Sequence, residues 1–456
     1  MKEPIKYYST NLKAPKVSFR EALLKGLAPD RGLYMPETIP TMTAREINAL
    51  SGMPYYKVAY EVTKKFLYTE LADDDLYNIV KNAYDFEVPL EKVHDEKHIM
   101  RLDQGPTASF KDFAARMMGR LINYYLKQEN RRLVILTATS GDTGSAIANA
   151  FYGLNNIKVV VLYPEKEVTA RQRKQMTTLG KNVQIISING KFDDCQALVK
   201  KAFSDHELEY LHLSSANSIN IGRLIPQIVY YFYAFAQLRP GNDNDSIIFS
   251  VPSGNFGDMM GGMLAKKMGL PVEKFIIATN ENDEFPILLD KKVYNKIEPS
   301  KNCISSAMNV GHPSNLARLV ALYGGVMNEN GHISKQPDYN LMRTDLYAVS
   351  INDELTRKTI KKTYDHYQVL LEPHGAVGWA GLECFLEKYG QNYNNKKLFV
   401  SLETAHPAKF PEEIHKILNL DPELPQSLKG LDKKQEFIDS CNNSYQDFKD
   451  LLKNSF

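Results

Sequence analysis

The chain has 456 residues, 43% hydrophobic and 24% charged, enough for two or three buried cores and too apolar for a disordered segment. Its 56 basic and 54 acidic residues leave a formal net charge of +2 with no basic stripe to follow a phosphate backbone, so nucleic acid is not an expected partner. No window approaches the ~18 consecutive apolar residues of a membrane span. The opening MKEPIKYYSTNLKAP also lacks an apolar signal core, so a cytosolic protein without membrane association is expected.

Residues 1–95 carry helical patterns broken by Pro and Gly, as in SFREALLKGLAPDRGLYMPETIP, and read as a separate N-terminal helical module. Within it Asp73, Asp74 and Asp75 precede an apolar-periodic run and mark a helix start, where acidic groups meet the positive dipole end. His94 and His98 stand four apart, a spacing two metal ligands on one helix face would have. No HExxH motif or acidic cluster completes a site, so the pair reads as solvated surface and no metal is expected. The four cysteines, Cys195, Cys303, Cys384 and Cys441, form no CxxC pair and read as reduced thiols.

From about residue 98 the pattern changes. Short β-rich runs (LVILTAT, KVVVLYP, VQIISI, SIIFSVP, KFIIATN) alternate with helical stretches, which predicts α/β architecture with mostly parallel sheets covered on both faces. A catalytic core over 96–430 is expected, made of two α/β subdomains, the smaller at roughly 135–215, followed by a peripheral helical tail over 431–456. Two helices stand out: one with Met117, Leu121 and Tyr125 on a face, the other with Leu224, Ile228, Phe232 and Phe235. GNDND at 241–245 and the Asn-rich stretch around 390–395 read as surface loops.

Three segments could carry chemistry. In LDQGPTASFKDFAARMM, Lys111 follows Phe110 and opens an amphipathic helix, a setting that desolvates an amine and favours its neutral, Schiff-base-forming state. In LVILTATSGDTGSAIANAF, a strand runs into Ser140, Gly141, Asp142 and Thr143 before a helix, so hydroxyls and free amides are offered to a carboxylate or phosphate. In SIIFSVPSGNFGDMMGG, Gly254, Asn255, Phe256, Gly257 and Asp258 form a second strand-to-helix turn able to wrap an anion without the lysine of a GxxxxGK[ST] loop. Each turn taken alone also fits a plain connection; the combination of an amine with two anion-sized loops carries the reading. The DTG at Asp142–Gly144 has no second copy, as an aspartic protease needs, and Ser140 lacks the GxSxG elbow of a hydrolase.

Together with VSFREALLKGLAPDRGLYMPETIP, SANSINIGRLIPQIVYY, EPHGAVGW and LETAHPAKF, these segments resemble the fold-type II pyridoxal-phosphate enzymes, with a tryptophan-synthase-β-like architecture, and within them the bacterial and fungal threonine synthase family, over nearly the whole chain. The resemblance implies that Lys111 holds pyridoxal 5′-phosphate and then moves protons. It implies that the backbone of Gly254 to Asp258 holds the cofactor phosphate, that Asp142 lies near its phenolic oxygen and that Thr404 offers a hydroxyl to its ring nitrogen. Ser140, Gly141 and Thr143 would receive the substrate α-carboxylate, and Asn217, Ser218, Asn220 and Arg223 the substrate's phosphate. The implied reaction turns O-phospho-L-homoserine and water into L-threonine and phosphate by β,γ-elimination and replacement, with no obligate protein partner. Two rivals remain: a phospho-lyase releasing 2-oxobutanoate, and a catalytically silent protein that keeps the fold for binding. Gln104 in place of a common His, Asp142 in place of Asn, and Glu403 in place of a small residue depart from the wider pattern.

Overall fold

The structure is a computed structural model that describes residues 3–139, 141–238, 246–393 and 396–455. Two sheets organise it. The larger has six strands in the order Leu346–Ser350, Val272–Thr279, Ile247–Pro252, Leu398–Glu403, Lys97–Arg101 and Leu90–His94, all parallel except the last pair. The smaller runs Asp439–Asn442, Val183–Asn189, Ile157–Pro164, Leu133–Ala138 and Leu213–Ser214, parallel throughout.

The continuous apolar runs in these strands follow from burial on both faces. Ile247, Phe249 and Val251 enter the main core, whereas Ile248 turns to the opposite side with Ile276, Trp379 and Phe399. In the smaller sheet Val159 and Val161 face the main core, and Val160 and Leu162 face a second one with Cys195 and Leu198. Period-two alternation thus sorts residues between two dry layers. Helix Lys111–Glu129 packs between the sheets against helices Asp142–Phe151 and Ile221–Leu238, with Phe113, Met117, Met118, Leu121 and Ile122 buried. Among the described residues no helix is long and apolar enough to cross a membrane.

Several expectations change. The N-terminal segment is mostly helical, with helix Asp73–Ala83 starting at the acidic triplet, but it also pairs Tyr7–Ser9 with Tyr34–Pro36. It is no detached module, because Phe19, Val62 and Phe66 share one core with Phe113 and Tyr230. Leu90–His94, placed in that module by the sequence, is an edge strand of the larger sheet. His94 and His98 therefore sit on a hairpin, not a helix. His98 is 5% exposed, and His94 stacks on Tyr367 at 4.6 Å, so neither is simple solvated surface. The C-terminal stretch is not a peripheral tail either: Asp439–Asn442 adds a strand to the smaller sheet, and Phe448 and Leu452 of helix Tyr445–Asn454 are fully buried in its second core. Polarity of the flanking residues hides this, since a short edge strand needs only one inward side chain, here Cys441. The loop at 241–245 and part of that at 390–395 lie outside the described residues.

Candidate active site

Lys111 is the first residue of its helix, and the segment before it is bolted to the end of the central strand Leu398–Glu403. The Phe110 amide donates to the Thr404 carbonyl at 2.9 Å, the His406 amide to the Ala108 carbonyl at 3.1 Å, and the Leu102 amide to the Glu403 carbonyl at 3.0 Å. Asp112 closes the turn, accepting from the Thr107 amide at 2.8 Å and its hydroxyl at 2.6 Å, and Gly105 must lack a side chain because a Cβ there would lie 2.4 Å from Asp112 Oδ2. The Lys111 side chain is 14% exposed, and its Nζ lies 4.0 Å from Asp142 Oδ2. Burial lowers its proton affinity; Asp142 opposes this and Lys409 and Arg223 add to it.

Asp142 begins helix Asp142–Phe151 and is 4% exposed. Burial by itself would raise its pKa, but Lys409 at 2.6 Å and Lys111 outweigh that and hold the carboxyl well below its ordinary range. Gln172 Nε2 donates to Asp142 Oδ1 at 2.9 Å. The turn before this helix is drawn tight by Thr139, whose hydroxyl accepts the amides of Gly141 at 2.9 Å and Gly144 at 2.8 Å. Gly141, at φ +132° and with Gln172 2.6 Å from where its Cβ would stand, admits no side chain. Its amide is thus engaged inside the chain, and Thr143 is half-buried nearby. Ser140 lies outside the described residues.

The second turn follows strand Ile247–Pro252 and leads into helix Gly257–Lys267, with Phe256 in the left-handed region at φ +59°. Among the described residues the amides of Gly254, Asn255, Phe256, Gly257 and Asp258 find no acceptor within the chain. The loop is held from outside. Asn255 donates to Ser218 Oγ at 2.6 Å and accepts from the Ser314 amide at 2.6 Å, and its carbonyl accepts from Asn315 at 3.0 Å. Gly254 meets Met308, whose Cα would be 2.8 Å from a Cβ. Below, Asp258 Oδ1 accepts from Tyr230 at 2.5 Å and Tyr231 at 2.7 Å, Oδ2 has no partner, and burial pushes the carboxyl up to about 6.

The structure brings Ser218 to this loop through Asn255, sets Asn217 beside Thr137 and Arg223 near enough to Lys111 to act on its charge, and gives Asn220 another task. Asn220 is fully buried, donates to the Leu23 carbonyl at 2.9 Å and the Ser215 carbonyl at 3.0 Å, and accepts from the Gly222 amide at 2.9 Å. Its side chain ties the N-terminal segment to the start of helix Ile221–Leu238, leaving it no N–H for an anion. Asn217 Oδ1 accepts from Thr137 at 2.6 Å. Arg223 is 3% exposed, spends one donor on the Ala216 carbonyl at 2.8 Å, and keeps a buried Nε unpartnered. Burial lowers its pKa to about 10.

Four contributors escaped the sequence reading. Lys409, in TAHPAKF, is fully buried and bonds the Thr107 carbonyl at 2.9 Å as well as Asp142. Glu372 is fully buried and caps helix Pro373–Tyr389, accepting from the amides of His374 and Gly375, from His374 Nδ1 at 2.5 Å, and from Thr404 Oγ1 at 3.4 Å. His374 Nε2 in turn accepts from the Ala307 amide at 3.0 Å, which assigns the ring proton to Nδ1. Arg318, fully buried, gives its donors to the Tyr34, Ser218 and Ile219 carbonyls and to Asn315 Oδ1, fixing the backbone at 218–219. Lys409 and Glu372 stood inside motifs already singled out; nothing in the spacing marked Arg318. Glu403 also gains a physical account. It is fully buried, burial and the nearby Glu372 push its pKa far above the ordinary range against the pull of Arg101, and its Oε1 accepts from the Glu372 amide at 2.8 Å. Gly375 leaves it room, since a Cβ there would fall 1.5 Å from Glu403 Oε2.

These residues fit pyridoxal 5′-phosphate. The unpaired amides of 254–258 at a helix N-terminus suit a phosphate, and Lys111 suits a carbonyl carbon. Thr404, whose bond to Glu372 is long at 3.4 Å, can turn its hydroxyl to a ring nitrogen. Among family models, one described as Threonine synthase N terminus matches residues 6–84, one described as Pyridoxal-phosphate dependent enzyme matches 89–402, and one described as Threonine synthase, C-terminal matches 376–452.

The chain is 39% identical over 428 residues to the threonine synthase of Buchnera aphidicola subsp. Acyrthosiphon pisum, covering 93% of this chain and 94% of that one. It is 38% identical over 427 residues to that of Escherichia coli K12, with 93% and 94% covered. Among solved structures, PLP-bound threonine synthase from Brucella melitensis matches with a TM-score of 0.90 at 36% identity, over 99% of each chain. Yeast threonine synthase matches with a TM-score of 0.90 at 32% identity, over 98% of each. A threonine deaminase from Solanum lycopersicum, 19% identical with a TM-score of 0.55, shares the fold alone. With identity and structure agreeing from end to end, the chain belongs to the threonine synthase family, among the pyridoxal-phosphate-dependent enzymes.

Proposed function

We propose that the protein converts O-phospho-L-homoserine and water into L-threonine and inorganic phosphate, with Lys111 joined to the cofactor as a Schiff base until substrate arrives. The observation that carries this reading is a largely buried amine, with proton affinity lowered by burial, set among groups that bind anions: the amides of 254–258 and the guanidinium of Arg223. When bound, the cofactor supplies an electron sink that makes the substrate's Cα–H and then its Cβ–H acidic.

Lys111, once released, takes the α proton and then a β proton, and phosphate departs from Cγ. Arg223, Ser218 and Asn217 hold that phosphate, the guanidinium through charge-assisted hydrogen bonds. The amine delivers a proton to Cγ, water adds at Cβ, and a proton returns to Cα, which balances substrate plus water against threonine plus phosphate. The amides of 254–258 would hold the cofactor phosphate, Thr404 would offer its hydroxyl to the ring nitrogen, Asp142 would serve the phenolic oxygen, and Ser140 and Thr143 would receive the α-carboxylate. Substrate and product are small and water-soluble, which fits action in the cytosol without protein or nucleic-acid partners.

Incubating cofactor-loaded protein with O-phosphohomoserine is expected to give threonine and phosphate in equal amounts. 2-Oxobutanoate with ammonia would establish the phospho-lyase instead, and absence of turnover the silent protein. Lys111→Ala is expected to abolish both turnover and the borohydride-reducible bond to cofactor; survival of either removes Lys111 from this role.

A further inference from the structure

Two lysines stand by one carboxylate at this site, and they share it unequally. Asp142 Oδ1 is taken by Lys409 Nζ at 2.6 Å and by Gln172 Nε2 at 2.9 Å, whereas Oδ2 lies 4.0 Å from Lys111 Nζ, beyond hydrogen-bond distance. Lys409 cannot drift. It is fully buried in the short turn Pro407–Lys409, its ammonium also donates to the Thr107 carbonyl at 2.9 Å, and its segment is hydrogen-bonded to the one that carries Lys111 through His406 to Ala108 and Phe110 to Thr404.

We propose that Lys409 is a positioning residue: by engaging the Asp142 carboxylate it keeps that carboxylate from pairing with Lys111, and so leaves the Lys111 amine free to act as nucleophile and base. A Lys–Asp pair in a dry site binds a proton tightly, because the carboxylate favours the charged amine. A third charge changes the outcome. Lys409 satisfies the carboxylate and repels a proton on Lys111, in the same direction as burial.

The groups acting on Lys111 come from five places: Asp142 from helix Asp142–Phe151, Lys409, Arg223 from helix Ile221–Leu238, Glu372 ahead of helix Pro373–Tyr389, and Asp258 at the start of helix Gly257–Lys267. Lys409 itself acts on Asp142, Asp112 and His406. Arg223 works with Lys409, and Asp142 and Glu372 against it. Of these charged groups, Lys409 is the one within hydrogen-bond distance of the carboxylate nearest the amine.

This role rests on Lys111 being the cofactor lysine, and two readouts keep the two ideas apart. Borohydride trapping of cofactor on residue 111 in the wild-type protein tests the lysine; its failure would remove Lys111 whatever Lys409 does. The rate at which apo-protein captures pyridoxal phosphate, followed by visible absorbance from pH 6 to 10, tests Lys409, since only the neutral amine attacks. In Lys409→Met the midpoint of that profile is expected to rise by about one pH unit or more, slowing capture near neutrality about tenfold. Lys409→Arg is expected to restore it. Asp142→Asn, with Lys409 in place, is expected to lower the midpoint, and the Asp142→Asn/Lys409→Met double variant to return it close to wild type. Should Lys409→Met not fold, Asp142→Asn and the double variant decide alone. A midpoint that stays put in every variant that folds would overturn the proposal and leave Lys409 as a structural counter-ion.

Discussion

Asp258→Asn removes a titrating group from beneath the glycine turn, and its effect can be worked out with a sign. Asp258 is 5% exposed, and burial lifts its pKa from 3.8 to about 6, even though the hydroxyls of Tyr230 and Tyr231 and the charge of Lys111 pull it down. The folded protein therefore holds this proton more tightly than the unfolded chain. Its contribution to stability is complete below pH 3.8 and is lost as pH rises through 6. A shift of about 2 units corresponds to about 3 kcal/mol lost by pH 7.5.

Asparagine keeps an acceptor for the tyrosines but cannot ionise. It also sets an amide NH₂ where Oδ2 had no partner, at a cost of about 1–3 kcal/mol that does not vary with pH. The informative quantity is therefore the change in the difference between the two proteins. Denaturant unfolding of cofactor-free protein at pH 4 and pH 7.5 should show the variant gaining about 2.5 kcal/mol on the wild type across that interval. Other titrating groups cancel in the comparison. A difference that stays constant between the two pH values would refute the account of Asp258 as a buried, proton-retaining carboxyl.

Asn220→Ala and Arg223→Met should part company. Losing Asn220 strands the Leu23 and Ser215 carbonyls and the Gly222 amide, so unfolding titrations should show a loss of about 3 kcal/mol or more. Arg223→Met should instead raise KM for the phosphorylated substrate about 100-fold in protein that still binds cofactor, and steady-state kinetics beside absorbance titration would separate the two. Gly375→Ala should cost about 3 kcal/mol or more through its collision with Glu403 Oε2, and adding Glu403→Ala should relieve much of that loss in the double variant. Additive losses in unfolding measurements would show that the two positions do not compete for space.

The strands were readable because their composition follows from burial on both sides: LVILTAT became Leu133–Ala138 and SIIFSVP became Ile247–Pro252, each within a residue or two. Lys111 was readable as a helix start, and the other two segments as strand-to-helix turns, because an apolar strand ending in small and turn-forming residues is a local property; the positive φ falls on Gly141 in one and on Phe256 in the other. Asn220 was misjudged for the converse reason. An asparagine beside an arginine looks the same in sequence whether it meets a ligand or a carbonyl about 200 residues away, here that of Leu23. The C-terminal strand was missed because pairing with Val183–Asn189 is decided by the partner and not by the four residues Asp439–Asn442 themselves.

Local chemistry in the chain determined the alternating α/β plan, the amine and the turns, since each depends on neighbours within a few positions. Which charges meet was settled only when segments distant in the chain came together. Lys409, Asp142 and Lys111 are separated by as many as 298 positions, and Glu372, Thr404 and Glu403 reach one another from two different elements. A buried charge takes its behaviour from what surrounds it within a few ångströms, and that company is a property of the fold.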